Sequence, residues 1–168
     1  RYPERTQLLF NEKNSGGVFR QWRKGIQAAK GDIVWIAEAD DWCEKDYLEQ
    51  MLPAFDHADV KLVSAQYGFY NEEELIPDGY ENYVAQVDAQ RWNRSFTQEA
   101  AVETADAMGI INTVPNVSGC LFRNPAGMAL LDDPQWLQMR ICGDWVFYLQ
   151  VMQGGSFAYQ RQAHSCFR

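Results

Sequence analysis

The chain has 168 residues, 46% of them apolar and 14% aromatic, enough for one globular domain (1–168) with a substantial core and too few for two. A formal net charge of −8 with pI near 4.7 excludes the basic face of a nucleic-acid binder and electrostatic adhesion to anionic lipid. No apolar run approaches the ~20 residues that span a bilayer, and the scattered Cys43, Cys120, Cys142 and Cys166 form no C-x-x-C pair, which reads as reduced thiols of a cytosolic protein.

In chain order, Leu8-Leu9-Phe10 reads as a short strand. From Val18 to Ala29 the residues Val18, Trp22, Ile26 and Ala29 share a helical face, and Gly31-Asp32 stops the helix. Ile33 to Ala37 is a continuous apolar run, as expected of a strand buried on both faces. Leu48, Met51, Leu52 and Phe55 recur at helical spacing. Val60 to Tyr70 reads as a strand rich in Val, Tyr and Phe. Asn71 to Trp92, with Pro77-Asp78-Gly79, is expected to be irregular. Gln98 to Met108 reads as helix, Ser118 to Phe122 as extended, Trp145 to Met152 as a helix apolar all round, and Ser156 to Tyr159 as a last short strand. The alternation predicts an α/β domain with a mostly parallel sheet flanked by helices.

Where the apolar run Ile33–Ala37 ends, Glu38-Ala39-Asp40-Asp41 follows. In open α/β sheets, ligands collect beyond the carboxyl ends of the strands. Strand alternation would send Glu38 and Asp40 to the same side. Clustered carboxylates repel one another unless a cation neutralises them, and such hard oxygen ligands suit Mg²⁺ or Mn²⁺, which also bridge a nucleotide's diphosphate. The same residues equally suit a plain turn that caps the next helix. A second constellation, Cys142-Gly143-Asp144-Trp145, opens an apolar helix. There an Asp serves as an N-cap or as a fixed carboxylate that accepts a proton. A third, Asn112 to Arg123, contains Ser118-Gly119, where glycine would let a ligand approach the backbone or simply make a turn.

The run Asn11 to Trp42 resembles family 2 glycosyltransferases: an Asn/Gly-rich loop, a helix ending Ala29-Lys30-Gly31-Asp32, an apolar strand, and then an acidic motif. Glu38 stands where the family's D-x-D-D pattern has its first Asp. Gln21-Trp22-Arg23-Lys24-Gly25 departs from the A-R-N-x-G often seen in the helix. The resemblance implies a GT-A, Rossmann-like fold and an inverting enzyme that moves a sugar from a nucleotide-diphosphate donor to a glycan or lipid-linked acceptor. It implies Glu38 near the donor ribose, Asp40 as the metal ligand with Asp41 as the alternative, and Mg²⁺ or Mn²⁺ as cofactor. Asp144 is implied as catalytic base, with Trp145 lining the acceptor site and Gly119 beside the donor sugar. Arg23 faces either the nucleotide or solvent.

The family's usual opening strand–helix–strand unit, which holds the nucleotide base, has no counterpart in this sequence. The expectation is therefore a partial domain whose exposed sheet edge promotes self-association, on the cytoplasmic side and peripheral to a membrane face. Two other classes stay open: a nucleotidyltransferase of similar shape, whose Gly-rich basic signature is not seen, and a non-catalytic carbohydrate- or partner-binding module. Tyr80, Tyr83 and Trp92 would stack on sugars in such a module, and core packing is their other reading. His57 reads as surface, and His164 beside Cys166 has no metal-ligand spacing.

Overall fold

The computed structural model describes residues 3–167. Helix α1 (Val18–Ala28) is followed by β1 (Ile33–Val34), β2 (Trp42–Cys43) and α2 (Tyr47–Met51). Then come β3 (Val60–Asn71), β4 (Glu74–Leu75), α3 (Gly79–Val84), β5 (Phe96–Glu99) and α4 (Ala100–Glu103), which runs into a π-helical turn, Thr104–Met108. Strand β6 (Cys120–Arg123), helix α5 (Gly143–Met152) and strand β7 (Ser156–Phe167) complete the chain.

The strands form one mixed sheet in the order β1-β6-β3-β7-β2, with β4 added to β3 and β5 to β7. The long central pair, β3 against β7, is parallel. The pairings β1–β6, β3–β6, β2–β7, β5–β7 and β3–β4 are antiparallel. The α/β class and the flanking helices therefore stand as expected, and the parallel character is confined to the centre of the sheet. Period-2 alternation sorts the strands onto two faces. Leu62, Phe122 and Phe157 join Phe19, Trp22, Ile26 and Phe147 beneath α1 and α5. Their neighbours Val63, Leu121 and Ala158 pack on Tyr47 and Met51 of α2.

Several elements differ from the periodicity reading. Leu8–Phe10 is not a strand. Lys24 Nζ of α1 donates to the Leu9 and Phe10 carbonyls at 3.2 and 2.7 Å, and this holds the segment as a coil with Phe10 82% exposed. The buried face of α1 is Phe19, Trp22 and Ile26, with Val18 turned outward. Tyr80 and Trp92 are core residues, within a stretch that forms β4 and α3 where irregular chain was expected. The four cysteines are free thiols; Cys120 and Cys166 are buried, Cys43 is half-buried and Cys142 is exposed, where mostly buried thiols were expected.

Candidate active site

Of the apolar run after α1, only Ile33 and Val34 pair, against Arg123 and Phe122 of β6. The chain then leaves the ladder because Ser118, just ahead of β6, captures it. The Trp35 indole donates to the Ser118 carbonyl at 2.8 Å, and the Glu38 N–H donates to Ser118 Oγ at 2.9 Å. Residues 38–41 close into a turn, with the Asp41 N–H on the Glu38 carbonyl at 3.3 Å. Strand alternation therefore does not set the acids; the turn does. Ser118 Oγ donates a hydrogen bond to Asp41 Oδ2 at 2.6 Å, so Asp41 is anchored and half-buried while Asp40 is exposed. Ser118 itself is fixed by Asn116, whose Oδ1 accepts its N–H at 2.7 Å.

Asp144 lies in the first turn of α5. The residue at the helix start is Cys142, in the left-handed region at φ 60°, and no side chain caps this helix. The capping reading of Asp144 is thus replaced: one carboxylate oxygen accepts from Asn112 Nδ2 at 3.0 Å. The start of α5 is held by aromatic packing. The Trp136 indole donates to the Gly143 carbonyl at 2.8 Å, and Phe19 and Phe147 lie against the Trp136 ring at 5.1 and 5.8 Å. A Cβ on Gly143 would meet Phe19 Cε2 at 2.2 Å, so glycine is what lets α1 approach here.

These placements bring Glu38 and Asp144 onto one cavity of about 230 Å³, together with Trp22, Asn116, Arg140 and Tyr148. Burial first, then the charges of Asp41, Asp40 and Asp144, raise the Glu38 carboxyl above its ordinary value. The acidic turn and the α5 carboxylate thus belong to one electrostatic unit. A smaller adjoining cavity, about 120 Å³, is lined by Trp35, Glu38, Asp41, Trp42 and Ser118.

Among the described residues, no three His, Cys, Asp or Glu side chains converge on a point where a metal ion could sit. A divalent cation that reaches a protein through a nucleotide's phosphates needs only one or two carboxylates. Exposed Asp40 and the second oxygen of Asp41 fit that limited role.

The remaining expected site residues lie elsewhere. Arg23 pairs with Asp132 at 2.6 Å and does not line the cavity. Trp145 donates its indole proton to the Met108 carbonyl at 2.7 Å and packs on the core. Gly119 is buried, and a Cβ there would meet Tyr67 Cε1 at 2.1 Å. Its missing side chain makes room for the Tyr67 ring, which in turn donates to the Asn116 carbonyl at 3.0 Å. Asn112 and Ser118 lie in the stretch singled out for Gly119 but were given no role of their own, and Arg140 was not singled out from the sequence. An amide paired 32 residues away, or an arginine in a loop, carries no local signature.

The model of the family described as Glycosyl transferase family 2 matches residues 1–113. The match includes the acidic turn and ends before Ser118 and Asp144. The Bacillus subtilis (strain 168) protein EpsH, whose name carries a provisional glycosyltransferase assignment, is 40% identical over 59 residues. That similarity covers 34% of this chain and 17% of EpsH, so the chain spans a minor part of that relative's length. No helix among the described residues is long and apolar enough to cross a membrane. With the match extending over most of its length, the chain belongs to glycosyl transferase family 2.

Proposed function

We propose that this chain carries the reacting centre of an inverting glycosyl transfer, from a nucleoside-diphosphate sugar to a hydroxyl of a glycan or lipid-linked acceptor. The observation that carries the proposal is the single cavity lined by both Glu38 and Asp144. In this reading Asp144 takes the proton of the acceptor hydroxyl. The oxygen bonds to the anomeric carbon from the face opposite the diphosphate, the sugar–phosphate bond breaks, and the nucleoside diphosphate leaves. One backside displacement inverts the anomeric configuration.

Glu38 and Asp41 would meet the donor. The Glu38 carboxyl, which lines the cavity, is a hydrogen-bond acceptor of the kind a ribose hydroxyl needs. Arg140, in the same lining, offsets carboxylates that would otherwise repel an anionic donor. Asp40 would hold Mg²⁺ or Mn²⁺, which would supply positive charge to offset the negative charge of the leaving diphosphate. Trp145 and Arg23 take no direct part in this reading, and Gly119 acts through Tyr67. The acceptor class fits cell-surface polysaccharide or glycoconjugate synthesis at a cytoplasmic membrane face.

The test is a panel of nucleoside-diphosphate sugars incubated with Mn²⁺, acceptor and the full-length polypeptide that carries this chain. Release of nucleoside diphosphate with a glycosylated product is expected. Pyrophosphate exchange would make the protein a nucleotidyltransferase, and donor binding without turnover would make it a binding module; either contradicts the proposal.

A further inference from the structure

We infer that Asn112 is a positioning residue for the Asp144 carboxylate, an inference that rests on the base role proposed above. Asn112 follows the π-helical turn Thr104–Met108 and precedes the 3-10 turn Val117–Gly119. Its Oδ1 accepts the Val114 N–H at 3.3 Å. That contact assigns the two ends of the amide, because an oxygen accepts there and the NH₂ group is left to face Asp144 Oδ2 at 3.0 Å. The backbone beneath is held twice more. Tyr83 of α3 donates to the Asn112 carbonyl at 2.9 Å, and buried Tyr80 donates to the Thr113 carbonyl at 3.0 Å. The amide is therefore a fixed donor rather than a mobile surface group.

Two consequences follow for a base. A hydrogen bond donated to a carboxylate favours its charged form, the form in which a base accepts a proton. Engaging one oxygen also leaves the other to take the acceptor proton in a set orientation. Other groups act on the same carboxylate. Glu38, Arg140, Cys142 and Tyr148 line its cavity, and the Tyr83 and Cys120 side chains lie within reach of its charge. None of these changes when only residue 112 is replaced, so a shifted pH profile can be assigned to the amide.

The test uses Asn112→Asp and Asn112→Ala in the full-length enzyme, with Asp144→Asn as reference. Asn112→Asp keeps an acceptor for the Val114 N–H while turning the donor into a like charge. Thermal unfolding near that of the parent would show that the loop survives. Expected are a kcat loss on the order of tenfold to a hundredfold with donor KM unchanged, and an acidic limb of the kcat/KM profile moved to higher pH, further for Asp than for Ala. A folded Asn112→Asp enzyme with parental kcat and acidic limb, beside an inactive Asp144→Asn, overturns the positioning role and leaves the base role standing. Normal turnover by Asp144→Asn overturns the base role itself, and this inference with it.

Discussion

At Ser118 one side chain and one carbonyl gather four partners: the Glu38 N–H and the Asp41 carboxylate on the hydroxyl, the Trp35 indole and the Tyr47 hydroxyl on the carbonyl. Replacing it by Ala keeps the carbonyl contacts but leaves half-buried Asp41 without its donor, an effect worth about 1–2 kcal/mol. Ser118→Ala should therefore lower Tm modestly and raise donor KM, measured by thermal unfolding and steady-state kinetics; unchanged donor KM would detach the turn from substrate binding. Next to it, Gly119→Ala forces a Cβ into the Tyr67 ring, and overpacking of this kind costs about 1–3 kcal/mol. A denaturant midpoint equal to the parent's would mean that the ring moves freely aside. Glu38, Asp41 and Asp144 could be picked out as candidates from the sequence because acids after an apolar run, or at the head of an apolar helix, are locally conspicuous. The purpose of Gly119 could not, since the clash that forbids a side chain comes from Tyr67, far away in the chain. The contacts of Trp145 and Arg23 were hidden for the same reason. Their partners, the Met108 carbonyl and Asp132, are set by packing and not by spacing.

Among the elements, α4 carries a buried ion pair that braces the wall behind the Asn112 loop. Glu103 is fully buried, bonds Arg91, and accepts from Thr113 Oγ1 at 3.4 Å. Arg91 also lies over the Phe96 ring at 4.3 Å. Burial lifts the Glu103 carboxyl to about 7 against the lowering pull of Arg91. The folded chain thus holds this proton more tightly than the unfolded one. The associated stability is full below the ordinary carboxylate value and is lost as pH rises through about 7. Arg91→Ala removes the compensating charge, so urea unfolding should show a loss of about 3–5 kcal/mol at pH 8 and a smaller loss at pH 5, where Glu103 is protonated. Equal losses at both pH values would contradict a carboxylate buried at this site. Element lengths were only partly readable. Strand β3 matched its Val- and Tyr-rich run, because a central strand is apolar on both faces. The run Ile33–Ala37 looked alike but pairs at two residues, since Ser118 draws it off the sheet. Strand β7 runs to Phe167 through polar Gln160-Arg161-Gln162. Its register against β3 jumps from Ala65–Gln160 to Gln66–His164, and that bulge hides the alternation that would have announced a long strand.

For the molecule as a whole, composition and alternation were enough to give an α/β domain with helices on both faces. They could not give the sheet's mixed directions, because antiparallel β6 enters from a long loop rather than from a helical crossover. The chain's edge strand β1 pairs only with β6 among the described strands, and Leu8, Phe10 and Ile141 are 69, 82 and 78% exposed. The isolated 168-residue chain should therefore self-associate at micromolar concentration, as sedimentation velocity can read; a monomer throughout would remove that expectation. The central claim is that Asp144 works across one cavity from the acidic turn. It is tested most directly by the kcat and donor affinity of Asp144→Asn in the full-length enzyme. Asparagine keeps the side chain's size and its place in the first turn of α5 but cannot accept the acceptor proton. A kcat loss of about a hundredfold to ten-thousandfold with donor affinity retained is expected, whereas turnover near the parental rate would rule out Asp144 as the base.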